Sequence, residues 1–408
     1  MRKTVVSVSL FLVFLFFNVL TSYALPSTAV GEIINPTDSR ITYLGRYNTD
    51  LNQAKQMNWE GAGIALNVHG SGLTITLKSK ATTESSFQAV EFRVYIYSGN
   101  APVEYSQNLF SVPVSITPQE SSKTIDLSAL RDYDPSRLYH VEIIKTSEAD
   151  DTSSKKETAT VELAGITINA DSFLEPATVL EKKIVYYGDS ITAGFYDGTN
   201  GGTYGKSNLD ISYAFQTTQL LNKALFSDFS ASSLNASYTA LSGIAISNNY
   251  YWHNNTLANF YNQKQYSYNN SVKSNVLDSE NADVVVVNIG TNDMTGYFVA
   301  GDADGPTKYG DALKAFVGEI RTLNPNAFII LTLWGTYDPN SHSQYWDAIQ
   351  KVVSDFNNNH IIPDSKVKYF APYWSTSGDR NHPDKTFAGK FAAKLAPFIQ
   401  SLLTSNLN

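Results

Sequence analysis

The stretch Lys183-Ile184-Val185-Tyr186-Tyr187-Gly188-Asp189-Ser190-Ile191-Thr192-Ala193-Gly194 holds a strand, a turn and a helix start in sequence. Its first five residues are almost all β-branched or aromatic, and Gly-Asp-Ser follows directly. A serine at a strand-to-helix turn is where a parallel sheet presents a nucleophile. Four similar runs follow: Tyr238–Leu241, Val284–Ile289, Phe328–Leu333 and Val367–Phe370. Between and after them lie amphipathic stretches of helix length, Tyr213–Ala224, Tyr309–Thr322, Tyr345–Asn357 and Lys385–Leu403. Continuous Val-rich runs are strands buried on both faces, so the sheet is parallel and flanked by helices. Five such units predict an α/β fold, a flavodoxin-like three-layer domain over residues 175–408.

Upstream the pattern is different. Gly63–Val68 and Leu73–Leu77 flank the turn His69-Gly70-Ser71-Gly72, and Val90–Tyr97 alternates polar with apolar residues. Leu138–Ile144 and Thr158–Ile168 repeat the theme. Short alternating strands with Gly and Ser turns predict an all-β sandwich or jelly roll over residues 25–174. Trp59 is expected in its core. The junction from Ser172 to Leu180 has one proline, no Gly/Ser run and several apolar residues, so the two domains should pack together. Ser247–Ser274, rich in Asn and Tyr, should be a long loop with short helices near the active face.

Residues 1–24 read as a signal peptide, with Arg2 and Lys3, an apolar run from Val5 to Leu20, and small residues at Ser22 and Ala24. A retained signal anchor is the alternative, but the run is short and no basic stop-transfer cluster follows. Secretion is therefore expected, with no membrane span after cleavage. The chain has 408 residues, no cysteine and a net charge of −8. It can form no disulfide, thiol nucleophile or Cys-ligated zinc site. No Lys/Arg block points to nucleic acid. Sequons at Asn235, Asn254 and Asn269 could carry glycans, although the first lies close to a strand.

Two further signals follow the serine. Gly290-Thr291-Asn292-Asp293 ends the third strand, and Asp379-Arg380-Asn381-His382-Pro383 lies near the C-terminus. Gly-Asp-Ser alone arises by chance in roughly one chain in ten of this length, but the three blocks in order make coincidence rarer than about one in a thousand. Together they supply a hydroxyl, an amide donor, a base and a carboxylate, the parts needed for acyl transfer without metal or organic cofactor. Each residue also has an ordinary reading. Ser190 could cap a helix, Asp189 could bond the turn's backbone, and Asn292 and Asp293 could be turn residues. Asp379 and Asp384 compete as the carboxylate partner. A residue three before His382 can curl back to its Nδ1, which favours Asp379.

These blocks resemble the SGNH, or GDSL-like, hydrolase superfamily over roughly residues 180–405. The resemblance implies Ser190 as nucleophile, His382 as base and Asp379 as its partner. It implies an oxyanion hole from the Ser190 N–H, the Asn292 amide and Gly243, in Leu241-Ser242-Gly243-Ile244. Upstream, Gly45-Arg46-Tyr47, Trp59-Glu60-Gly61-Ala62-Gly63-Ile64 and Gly70-Ser71-Gly72-Leu73 resemble the jelly-roll domain of the second family of carbohydrate esterases. That implies a deacetylase acting on O-acetylated polysaccharide. Trp334, just after the fourth strand, could stack on a sugar ring or serve in ordinary packing. A general lipase or esterase, and a non-catalytic carbohydrate-binding protein, are the competing readings. The sequence leaves the oligomeric state open.

Overall fold

The computed structural model describes residues 31–49, 53–79, 90–98, 110–116, 122–127, 134–151, 156–157, 160–196, 206–225, 232–247, 256–266, 276–333, 343–359, 361–371 and 382–404. The expectations for residues 1–24, Trp334, Asp379 and the sequons at Asn254 and Asn269 fall outside these.

Five strands form one parallel sheet: β1 (Thr178–Gly188), β2 (Ser232–Ala240), β3 (Val284–Asn288), β4 (Phe328–Thr332) and β5 (Val367–Tyr369). Their order is β2-β1-β3-β4-β5, so the chain runs from β1 outward to β2 and returns to β3 on the other side. The C-terminal ends of β1 and β3 then flank the crevice where the order reverses. The helices are α1 (Ser190–Ala193), α2 (Tyr213–Leu225), α3 (Thr291–Ala300), α4 (Gly305–Leu323), α5 (Ser343–Asn357) and α6 (Lys385–Thr404).

Strand alternation divides the core between two faces. Val185 and Tyr187 of β1, Val285 and Val287 of β3, and Ile329 and Leu331 of β4 pack with α3, α4 and α5. Ile184, Tyr186, Val284, Val286, Phe328 and Ile330 pack with α2 and α6 on the other face. This two-sided burial is why the strands read as unbroken apolar runs.

The N-terminal region holds two six-stranded antiparallel sheets. One contains Leu73–Ser79 and Val161–Ile168; the other contains Gly63–His69, Val90–Ser98 and Leu138–Lys145. Ile75, Leu77 and Ile166 of the first meet Leu66, Phe92 and Val141 of the second in one cluster. The second sheet's other face is also covered. Its Tyr95, Tyr97 and Ile144 join Tyr186, Tyr213 and Tyr238 of the parallel region.

Trp59 corrects one expectation. Its ring lies not within the antiparallel core but in the parallel region's cluster, with Val185, Tyr187, Leu257 and Phe260. It is fully buried, sits edge-on to Tyr266 and donates Nε1–H to the Gln263 carbonyl at 3.0 Å. The loop that carries it turns at Gly61, where φ is +71° and an added Cβ would overlap the Tyr238 ring. Only glycine allows so close an approach in that conformation. The described part of the Asn/Tyr-rich segment is thus core-forming: Leu257, Phe260 and Tyr266 are buried.

A buried ion pair fastens the same seam. Arg46 is paired with Glu280 at 2.7 Å and also donates to the Tyr261 carbonyl at 2.6 Å. The Tyr187 hydroxyl donates to the other Glu280 oxygen at 2.6 Å. These neighbours hold the Glu280 carboxyl below its ordinary pKa, against the upward push of burial. Asn235 is the one sequon asparagine described. It lies on β2 beside buried Ala236 and Ser237.

Candidate active site

β1 ends where its sequence stops being apolar. At Gly188 an added Cβ would stand 2.0 Å from Thr192 Oγ1 and 2.6 Å from the Asn288 carbonyl oxygen, so the strand can end here only with glycine. Asp189 then caps α1, its carboxylate accepting the Ile191 N–H at 3.0 Å. Burial raises the Asp189 pKa to about 7, partly offset by that hydrogen bond. The capped turn leaves Ser190 at the first helical position, at the mouth of the strand.

His382 arrives from the segment before α6. Its Nε2 lies 2.8 Å from Ser190 Oγ, and its ring packs on Phe195 with centroids 4.8 Å apart. Asp384 is occupied elsewhere: it accepts the Phe387 N–H at 2.9 Å and so caps α6. A hydroxyl and an imidazole nitrogen at this distance can exchange a proton in place.

Asn292 and Asp293 sit in the first turn of α3, not in an irregular turn as the sequence suggested. Both are buried. The Asn292 Nδ2 group donates to the Ile244 carbonyl at 2.7 Å, which joins the end of β3 to the loop after β2. Asp293 accepts the Ile246 N–H at 3.0 Å, the Ser247 N–H at 2.7 Å and the Ser247 hydroxyl. Burial raises its pKa, and these donors pull the other way.

The loop between them, residues 241–247, is bonded on every side. The Leu241 N–H donates to the Gly188 carbonyl at 3.3 Å, and the Leu257 N–H donates to the Ala245 carbonyl at 2.9 Å. Gly243 sits at φ +78°, the left-handed region glycine favours. Neither its N–H nor that of Ser190 has an acceptor among the described residues. The structure thus brings Ser190 to His382 and Asn292 to the loop of Gly243, with Ser190 and Asn292 following the C-terminal ends of β1 and β3. Trp334 and Asp379 lie outside the described residues.

One participant was not found by reading the sequence. Glu148, from the turn after Leu138–Lys145, reaches across from the antiparallel region. Its carboxylate accepts the Ser242 N–H, the Ser242 hydroxyl at 2.8 Å and the Ser207 hydroxyl. A charged residue just beyond an alternating strand reads as solvent-facing, so no local signal marked it.

Comparison with known proteins places these features. Residues 186–384 match the model of the GDSL-like Lipase/Acylhydrolase family. The chain is 27% identical over 373 residues to the cellulase/esterase CelE of Acetivibrio thermocellus, covering 89% of this chain and 39% of that protein. It therefore spans about two fifths of the length of the curated relative it matches. Among solved structures, an acetyl xylan esterase (Est2A) from the rumen bacterium Butyrivibrio proteoclasticus superposes with a TM-score of 0.70 at 18% identity, covering 92% of this chain and 99% of that one. A family two carbohydrate esterase from Clostridium thermocellum in complex with cellohexaose gives 0.66 at 23% identity, over 89% and 99% of the two chains. Residues 186–384 thus resemble the GDSL-like acylhydrolases, and over most of its length the chain has the fold seen in a family two carbohydrate esterase and in an acetyl xylan esterase.

Proposed function

We propose that this chain is a secreted serine esterase that removes acetyl groups from O-acetylated polysaccharides. The observation that carries the reading is the 2.8 Å contact between Ser190 Oγ and His382 Nε2 at the switch point of the parallel sheet. Ser190 attacks the ester carbonyl while His382 takes its proton. His382 then protonates the leaving sugar hydroxyl. A water molecule attacks the acyl-enzyme, passes its proton to His382 and releases acetate. Asp379 holds the imidazole tautomer through Nδ1; that Asp384 accepts the Phe387 N–H at the start of α6 supports this choice. The tetrahedral oxyanion is met by the N–H groups of Ser190 and Gly243 and by the second N–H of the Asn292 amide.

The strand order supports a flavodoxin-like, three-layer hydrolase domain over residues 175–408, and the two opposed antiparallel sheets support a jelly-roll domain over 25–174. The polysaccharide reading rests on resemblance to carbohydrate esterases, one named for acetyl xylan and one bound to cellohexaose. Trp334, which follows β4, supplies a ring for a sugar to stack on. Secretion follows from the leader at 1–24, removed after Ala24.

The test is comparative. Acetate should be released from acetylated xylan or glucomannan much faster than fatty acid from long-chain esters. Ser190→Ala should remove about three to six orders of magnitude of either activity. Preference for long acyl chains would replace the deacetylase with a general esterase. Binding to polysaccharide with no hydrolysis of any ester would make the chain a binding protein.

A further inference from the structure

The Trp59-Glu60-Gly61 and Lys145-to-Glu148 segments carry three buried ionisable groups that the proposed chemistry does not use. Glu60 and Lys145 are fully inaccessible, and Glu148 is 7% exposed. The two segments are tied through their backbones: the Gly61 N–H donates to the Lys145 carbonyl and the Lys145 N–H to the Ala62 carbonyl, each at 2.9 Å. The Lys145 ammonium folds the turn beyond it, donating to the Ser147 carbonyl at 2.6 Å and the Glu148 carbonyl at 2.9 Å. Neither Glu60 carboxyl oxygen meets a donor from another described residue. Burial pushes the Glu60 carboxyl well above its ordinary pKa.

Such a cluster is costly to bury, so its geometry needs a reason. The turn it builds presents the Glu148 carboxylate to Ser242, the residue immediately before Gly243. One carboxylate oxygen takes the Ser242 N–H. The other takes the Ser242 hydroxyl and the hydroxyl of Ser207, and the two serine oxygens are 3.2 Å apart. From the other side Asn292 holds the Ile244 carbonyl. Gly243 is the residue between these two anchors.

We propose that Glu148 is a positioning residue, through which the N-terminal β region fixes the Gly243 N–H as an oxyanion donor for a site built on the other region. The inference rests on the serine-esterase reading and deepens it. Lys145 sets the turn that delivers the carboxylate, through its bonds to the Ser147 and Glu148 carbonyls. Glu148 touches neither substrate nor reacting atoms; it acts by holding the backbone on which the donor sits.

Two conservative substitutions separate reach from charge. Glu148→Asp keeps the charge beside Lys145 but withdraws the carboxylate by about one methylene. Glu148→Gln keeps the reach: its oxygen can still accept the Ser242 N–H, and its amide can donate to either serine hydroxyl. A displacement of about 1 Å at a reacting centre can cost about 10²-fold. The Asp variant should lose about 10- to 100-fold in kcat with KM little changed. Its amide hydrogens over 241–246 should exchange faster, while the Gly63–His69 strand is unaffected. The Gln variant should lose at most about threefold.

A Gln variant as impaired as the Asp variant, or an Asp variant with wild-type kcat, overturns the proposal. Ser207→Ala removes one of the donors that hold the carboxylate and leaves the charged cluster whole, so it serves if the Glu148 variants do not fold. It should cost about two- to fivefold in kcat, and wild-type turnover and loop exchange would overturn the proposal. Ser190→Ala is assayed alongside. If it stays active, the esterase reading fails and this inference falls with it; if it is inactive while Glu148→Asp is normal, only this inference fails.

Discussion

The parallel and antiparallel regions put polar side chains to opposite uses. In the parallel region Asp189, Ser190 and Asn292 lie just beyond strand ends, at helix starts. In the antiparallel region Arg46, Glu60, Lys145 and Glu148 are sunk in the seam between the two. None of these four is a group of the proposed chemistry, yet Arg46 engages Tyr187 on the strand that leads to Ser190, and Glu148 engages the loop that carries Gly243. The reacting groups belong to one region; their geometry belongs to both.

The largest test of that division is His382→Ala. Ester hydrolysis should fall by about 10³- to 10⁶-fold with the melting temperature nearly unchanged, since the ring is only half-buried. In the wild type kcat/KM should rise with pH as the neutral imidazole base appears. An active variant alongside another, inactive histidine variant would move the base elsewhere. Next is Asn292→Ala, expected to lower kcat by about 10²–10³ with little change in KM, because an oxyanion donor works in the transition state. A change in KM alone would make Asn292 a binding group.

The seam should answer in the opposite currency, stability rather than turnover. Arg46→Ala leaves Glu280 buried without its main counter-charge and should destabilise the fold by about 3–5 kcal/mol. Denaturant unfolding reads this directly, and turnover measured where the variant is folded should stay within a few-fold. A large loss of kcat without loss of stability would erase the distinction between the regions.

Asp189 gives a smaller effect with a definite sign. Its pKa stands near 7 in the folded chain against 3.8 ordinarily. Between these values the folded state holds the extra proton, so stability falls as pH rises from about 4 to 7. Asp189→Asn can still accept the Ile191 N–H, and the melting temperature of the variant should gain on the wild type across that window. A constant difference over the whole range would mean the carboxylate is not taking up a proton there. The smallest effect is expected at Trp334→Ala, about three- to tenfold in KM for acetylated polysaccharide and none for a small aryl acetate, since only the former offers a ring to stack. Equal losses would return Trp334 to ordinary packing.

Sequence reading succeeded where burial is two-sided or geometry is local. Val284–Val287 and Phe328–Leu331 announce their strands because every residue faces a core. Asp189 was readable as a backbone-bonding turn residue because its acceptor role is two residues away. The reading shortened β2 to its apolar tail, because Ser232–Ser237 pairs with β1 through backbone bonds that leave no apolar signature. It missed α3 because Thr, Asn, Asp and Gly296 dilute the helical pattern. It assigned Trp59 to the wrong core and passed over Glu148, for one reason. Both act across the seam, with partners about 200 and 90 positions away in the chain, where periodicity carries no information.

The seam has a consequence for recombination. The junction at Ser172–Leu180 looks like a place to cut and graft a different module onto the parallel region. A chain joined there would lose Trp59 from the core of the parallel region, Arg46 from Glu280 and Glu148 from Ser242 at one stroke. Exchange of the first region is therefore constrained less by the residues at the joint than by a handful scattered through the donor, which have to travel together. Descendants of such a fusion would be recognisable by co-inheritance of those scattered positions.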